Sequence, residues 1–367
     1  MTNHNYDAQV ICPVPFAPFP LPLLRNKWKI YAEVEPYGMI DGVKVYYPRY
    51  VEFPGFLAYF GAEHRMNQSI KRCFQKNTYK YDFDLIHSHY AFPDGYAALM
   101  LSKRSHKPYV VTCRGSDLDI TAKRNNILYD RILITVSNAE RVIVPSPRLA
   151  DTFYELFQFY PTVISNGIFT SNIYLDTSPL GAEYSGRRVL LSASQLIPSK
   201  GIDFNIRAVK RLLEQYPNII YLVIGDGPER TNLEKLVLEM GLTSHIKFLG
   251  ALPHQIVMQY MSFCDIFSVP SWQETFGLVY TEAMAHGVPV IGVEGQGIAG
   301  VVQHGTNGML VKSRDIDSLV NALTYLLAHP EKARAMGKQA RELVVREYTW
   351  ECNAIKHKEL YEEILNS

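Results

Sequence analysis

From Val189 onward the chain alternates short apolar runs with stretches of helical periodicity, and no other feature restricts its fold as much. The runs occupy residues 189–193, 219–224, 246–249, 266–269, 288–291 and 309–311. Helical patterns lie between them at about 203–215, 230–240, 255–262, 277–285 and 316–327. A strand that is apolar throughout must be covered on both faces, and a helix after each strand supplies that cover. The pattern therefore predicts a parallel sheet wound on both sides by helices. The first half repeats the logic less regularly. Residues 8–12, 43–47, 83–87, 109–113, 141–144 and 162–165 read as strands, with helices at about 57–75, 96–103, 128–140 and from Arg148.

At 367 residues the chain exceeds the size at which one core normally stops growing, so two domains are expected. Residues 175–188, polar and rich in Ser, Gly and Pro, read as the linker, and 330–366 as helices broken near Tyr348-Thr349-Trp350. A formal net charge of +1 argues against a nucleic-acid partner, which calls for a basic excess. The 5 cysteines are scattered without a Cys-x-x-Cys pair, as in a reduced compartment, and no run of about eighteen apolar residues is present to span a bilayer. Residues 1–7 are polar and do not resemble a secretory signal. A cytoplasmic protein is the expectation. After the prolines at 13, 15, 18, 20 and 22, residues 23–30 mix basic and apolar side chains around Trp28. That segment reads as a surface loop, or as a peripheral contact with an anionic membrane face.

Three loops follow predicted strands and could hold an anion. Ser194-Gln195-Leu196-Ile197-Pro198-Ser199-Lys200-Gly201 opens a helix, so backbone N–H groups and one ammonium converge there. Gly225-Asp226-Gly227-Pro228-Glu229-Arg230 and the glycine-rich loop with Gly295, Gln296 and Gly297 repeat the arrangement. Each is weak alone, and a lone Lys-Gly is more often a solvated turn; together on one sheet edge they are strong. Beside them stand Glu274 and Glu282, separated by seven residues in apolar surroundings. With a helix from about Thr275, Glu282 would lie roughly two turns in. Such carboxylates form buried ion pairs or accept hydrogen bonds from adjacent hydroxyls of a ligand.

Residues 274–290, Glu-Thr-Phe-Gly-Leu-Val-Tyr-Thr-Glu-Ala-Met-Ala-His-Gly-Val-Pro-Val, resemble the E-x7-E signature of retaining glycosyltransferases of family 4. Lys200-Gly201, the 225–229 loop, Gly295-Gln296-Gly297 and Gly305-Thr306-Asn307-Gly308 stand where that family has its other marks. Residues 84–95 and 110–117 are similar to bacterial surface-polysaccharide members, the teichuronic-acid type among them. The resemblance implies an α/β chain of GT-B fold, with two doubly wound Rossmann-like parallel-sheet domains facing a cleft. It implies a first, acceptor-side domain at 1–172, rejoined by helices at about 346–367, and a donor-binding domain at 173–345.

The implied activity is hexose transfer from a UDP- or GDP-type sugar to a glycan or lipid-linked acceptor in envelope or exopolysaccharide assembly, without metal or cofactor. The implied catalytic residues are Lys200 on the donor diphosphate, Glu274 facing the transferred sugar, and Arg114. Donor contacts are implied for Glu282 on the ribose and for Gln195, Gly225, Asp226, Gly227, Phe276, Gly277, Leu278, Gly295, Gln296 and Gly297. The sequence departs from the family at Gln195, where an arginine usually partners the lysine, and at Arg114, where many members have histidine. Arg230 is one candidate for the missing charge. The family also opens with a strand and a glycine loop ahead of the strand at 8–12, and that unit is expected to be missing. These departures motivate a rival reading, a truncated or degenerate nucleotide-sugar-binding protein without transfer activity. A second rival is a phosphorylase-like or epimerase enzyme on the same fold. His87 and His89, two apart on a strand, share a face, but no spaced Cys or Asp cluster completes a zinc site. His89 reads equally as a sugar contact or as a packing residue.

Overall fold

The computed structural model describes residues 7–16, 26–53, 61–76, 83–173 and 179–367. The chain divides into two compact units, the first comprising 1–144, 150–163 and 357–367, and the second 145–149 and 164–356.

In the first unit, β1 (Gln9–Ile11), β2 (Val14–Phe16), α1 (Asn26–Ala32), β3 (Tyr37–Ile40), β4 (Val43–Tyr46), β5 (Arg49–Val51) and α2 (Ala62–Lys76) come first. β4 pairs parallel with β1 and antiparallel with β3, and β2 pairs parallel with β5. The principal sheet is made of four parallel strands in the order β6 (Ile86–His89), β7 (Tyr109–Thr112), β8 (Arg141–Val144), β9 (Thr162–Val163). Helices α3 (Tyr96–Ser105), α4 (Asn126–Ser137) and α5 (Pro147–Phe157) connect them. β2, β3 and β5 were not anticipated. Pro15 sits inside β2, which its missing N–H allows because among the described residues that strand has a neighbour on one side only. The segment read as a loop at 23–30 is helical from Asn26, with 23–25 outside the described residues. Residues 57–60 of the expected helix at 57–75, and the prolines at 18, 20 and 22, also lie outside them.

The second unit contains β10 (Arg188–Ala193), α6 (Ile202–Leu212), β11 (Ile219–Ile224), α7 (Arg230–Glu239), β12 (Ile246–Gly250), α8 (His254–Phe263), β13 (Ile266–Ser268), α9 (Leu278–Ala285), β14 (Val290–Val293) and β15 (Met309–Val311). Helices α10 (Ile316–Ala328), α11 (Pro330–Glu347) and α12 (Trp350–Asn366) follow, the last finishing in the first unit. All six strands are parallel, in the order β12-β11-β10-β13-β14-β15. Alternate residues of each strand face opposite layers. Val189, Leu191 and Phe267 pack with α8, α9 and α11, whereas Leu190, Tyr221 and Ile291 pack with α6 and α10. The supposed linker is largely part of this unit. Residues 175–178 lie outside the described set, but Pro179–Tyr184 forms a 3-10 turn whose Tyr184 is buried and stacks on Phe263. Among the described residues no helix is long and apolar enough to cross a membrane.

The strand order fixes the site. Winding proceeds outward from β10 through β11 to β12, then returns to the other side of β10 with β13, β14 and β15. Loops leaving the carboxyl ends of β10 and β13 thus diverge from adjacent strands, and the crevice at such a reversal is where α/β sheets bind ligands.

Candidate functional site

The loop after β10 carries Lys200. A 3-10 turn, Pro198–Lys200, ends at Gly201 in the left-handed region (φ 66°), and α6 starts at the next residue. The loop after β13 carries Glu274. Lys200 Nζ donates to Glu274 Oε2 at 2.7 Å, with the two side chains 20% and 13% exposed. Trp272 N donates to Ser199 O (3.0 Å), tying the two loops together through backbone as well. The ion-pair reading of Glu274 is therefore present in the molecule, and its partner is the residue expected on phosphate.

Two further loops on the same sheet edge close around this pair. After β14, Gln296 Oε1 accepts from Glu274 N (3.0 Å), and Gly297 N donates to Glu274 O (2.8 Å). A Cβ on Gly297 would stand 2.2 Å from Thr275 O, so only glycine permits this approach. After β11, Leu196 N donates to Asp226 O (2.9 Å) and Glu229 N to Leu196 O (3.0 Å). Gly225, at φ 130°, would place a Cβ 1.8 Å from Ser194 O. A Cβ at Gly227 would stand 2.4 Å from Leu196 O, and Gln195 is exposed between these contacts. Asp226 accepts from Gly227 N and pairs with Arg230, which also binds Glu234. Arg230 is thus committed to two carboxylates.

Between the two glutamates the backbone turns at Gly277 (φ 90°), and α9 begins at Leu278. This corrects the expected two helical turns to little more than one, since Glu282 is the fifth residue of α9. The left-handed glycine delays the helix and lets Tyr280 fold inward, where its hydroxyl donates to Val269 O. Glu282 Oε1 accepts from His254 Nε2 at 2.8 Å; the carboxylate side chain is 20% exposed and the imidazole 54%. Phe276, expected at the donor, is buried in the core beside Tyr348. Leu278 and Gly295 are on the surface of the same region, with nothing within 4 Å of a Cβ at Gly295.

No motif pointed to the polar knot beneath Lys200. Asn205, fully buried on α6, donates to Ser268 O (2.9 Å) and Ser192 Oγ (3.2 Å) and accepts from Ser268 Oγ (2.9 Å). Tyr221 OH completes it. The network fastens the first turn of α6, and with it the Lys200 turn, to β10, β11 and β13.

Arg114 belongs to the first unit, in the loop after β7. Asp117, 1% exposed, shapes that loop by accepting from the backbone N–H groups of Ala91 (3.0 Å), Arg114 (3.1 Å) and Gly115 (2.8 Å). Burial pushes its carboxyl above the ordinary range while those donors pull it back. Arg114 Nη2 meets His89 Nδ1 at 2.9 Å. A guanidinium only donates, so this ring nitrogen is the acceptor, and burial together with the Arg114 charge pushes His89 down to about 4. His87 lies against Thr112 Oγ1 (2.7 Å) and Tyr361 OH, and its ring is 4.7 Å from that of His89 and 5.5 Å from that of His357. Both strand histidines do share a face. Among the described residues no group of three or more His, Cys, Asp and Glu is arranged to hold a metal.

Two doubly wound parallel-sheet units, the second closed at its switch point by a lysine loop and glycine-rich turns, define a protein of the GT-B class. Solved structures share the architecture. Sucrose-phosphate synthase from Thermosynechococcus elongatus matches with a TM-score of 0.75 and 24% identity, covering 91% of this chain and 86% of its own. Anabaena HepE, solved in complex with UDP, matches with a TM-score of 0.74 and 20% identity over 97% of this chain and all of its own. At such identities the likeness is one of fold. Sequence carries it further: residues 179–343 match the glycosyl transferases group 1 and residues 2–172 match glycosyltransferase family 4. A teichuronic acid biosynthesis glycosyltransferase of Bacillus subtilis is 29% identical over 330 residues, 87% of this chain and 80% of that one. A glycosyltransferase of Methanocaldococcus jannaschii is 29% identical over 283 residues, 77% of this chain and 76% of that one. The chain belongs to the family 4 glycosyltransferases, and it is a transferase enzyme.

Proposed function

We propose that this enzyme moves a hexose, with retention of anomeric configuration, from a nucleoside diphosphate sugar to a glycan or lipid-linked acceptor of the cell envelope. The observation that carries the reading is the meeting of Lys200 and Glu274 at 2.7 Å, from loops on adjacent strands at the switch point. Breaking a sugar–phosphate bond builds negative charge on the diphosphate and positive character on the sugar. A fixed ammonium beside backbone N–H groups answers the first charge, and a carboxylate answers the second. In this reading no metal is needed: Lys200 turns to the diphosphate, Glu274 to sugar hydroxyls, and Glu282 to the ribose diol. Gln195 adds no charge of its own, and Arg230 is held by its two carboxylates, so this reading assigns the diphosphate to Lys200.

The acceptor class is supported by the kinship with the teichuronic acid enzyme. A cytoplasmic location with peripheral membrane contact fits such an acceptor. On α1, Lys29 and Ile30 are exposed beside the half-buried Trp28.

The test is a thermal-shift panel of UDP-, GDP-, ADP- and dTDP-sugars, since a ligand that binds only the folded state raises the midpoint. It is followed by turnover of the best donor. Lys200→Ala is expected to lower kcat by about a hundredfold to a thousandfold while changing affinity for the free nucleoside little. Equal losses for nucleoside and diphosphate sugar would remove Lys200 from the phosphate.

A further inference from the structure

His254 has no assigned part in this enzyme. It is the first residue of α8, just past the carboxyl end of β12, and so reaches the ligand edge of the sheet from a fifth loop. Glu282 sits on α9 with both sequence neighbours, Thr281 and Ala283, fully buried. The backbone carbonyl of Glu282 is engaged by His286 Nδ1 at 2.8 Å, and its side chain reaches His254 Nε2, also at 2.8 Å.

A carboxylate only accepts, so Nε2 carries the proton in this contact whatever the charge on the ring. The bond occupies one lone pair of Oε1. It fixes the rotation of the carboxyl plane and leaves Oε2 directed by the constraint rather than by a free torsion. A carboxylate that must accept from two vicinal hydroxyls at once benefits from such a restraint, because ordering is done before the ligand arrives.

We infer that His254 is a positioning residue for the donor's ribose, holding one oxygen of Glu282 so that the carboxylate recognises a cis-diol and rejects a 2′-deoxyribose. The inference rests on the reading of Glu282 given above. It adds a specificity determinant outside the Glu-x7-Glu motif and ties the β12–α8 loop to the choice of donor. A bare helix-to-helix link would contribute to stability alone, and as a half-exposed pair it would contribute little.

The experiment takes whichever of UDP, GDP and ADP most raises the thermal midpoint of the full chain, together with its 2′-deoxy analogue. Affinities are measured by calorimetry for the wild type, His254→Ala, His254→Gln and Glu282→Ala. The wild type is expected to prefer the ribonucleotide by about tenfold or more, and Glu282→Ala to erase the preference. His254→Ala is expected to lose about fivefold to tenfold for the ribonucleotide and nothing for the deoxy analogue. The same loss should fall on KM for the donor rather than on kcat. His254→Gln, whose amide can still donate to Glu282, should recover most of the preference. If His254→Ala keeps the ribose preference while Glu282→Ala abolishes it, His254 is a structural link and the inference is wrong. If Glu282→Ala itself keeps the preference, the ribose reading of Glu282 fails and His254 falls with it.

Discussion

Glu274 and Glu282 belong to one motif, yet their side chains meet different chemistry. Glu274 faces a lysine from the neighbouring strand's loop, and Glu282 faces a histidine from a loop at the far side of the sheet. If Glu282 accepts from both ribose hydroxyls, Glu282→Ala should weaken nucleoside diphosphate binding by about tenfold to a hundredfold, measured by calorimetry; unchanged affinity removes that role. In the first unit the telling residue is His87. Burial, His89, His357 and Arg114 all push its imidazole well below the ordinary value. A base whose folded value is depressed contributes stability that is present above its unfolded value of about 6.5 and lost as pH falls below it. The wild type should therefore lose thermal midpoint between pH 7.5 and pH 5, and His87→Gln should lose less. Equal losses would show that His87 is free to protonate in the folded chain. The residue types were legible in the sequence wherever a motif named them. His254 and Asn205 were not, because each acts on a backbone or side chain far along the chain.

At the scale of elements, the edge that binds depends on how loops are held to one another. Asn205 ties the start of α6 to three strands through Ser192, Tyr221 and Ser268, all of them buried. Asn205→Ala leaves Ser268 Oγ without its acceptor in a dry site, while Ser192 keeps its bonds to Tyr221 and Ser268, and should cost about 1–3 kcal/mol, read from the denaturant midpoint. Loss of less than about 0.5 kcal/mol would mean that water takes its place. Apolar periodicity located most strands to within a residue or two, since burial on both faces leaves a continuous run. It failed where a backbone group decides. The strand expected at 288–291 runs Val290–Val293, because Pro289 has no N–H for the ladder and only its carbonyl takes part, accepting from Phe267 N at 3.1 Å. The helix expected near Thr275 waits until Leu278 because Gly277 turns left-handed first.

At the scale of the whole molecule, the chain leaves its first unit near Val144, re-enters it at 150–163, and closes it with its last residues. His357, Leu360 and Ile364 of α12 are buried, and Tyr361 meets His87 on β6. Deleting residues 357–367 is expected to speed amide exchange in β6 and β7 while the six-stranded sheet of the second unit keeps its protection. Unchanged exchange in β6 would show that the last helix does not hold that strand. Alternation of apolar runs with helices determined the class of sheet, and the glycine loops with the Glu-x7-Glu spacing determined the family, because both are local properties of the chain. The tertiary structure alone decided which side chains meet: Lys200 with Glu274, His254 with Glu282, Arg114 with His89. Strand order in a parallel sheet is set by packing between elements distant in sequence. The side chains that strand order brings within 3 Å therefore leave no spacing signal to read.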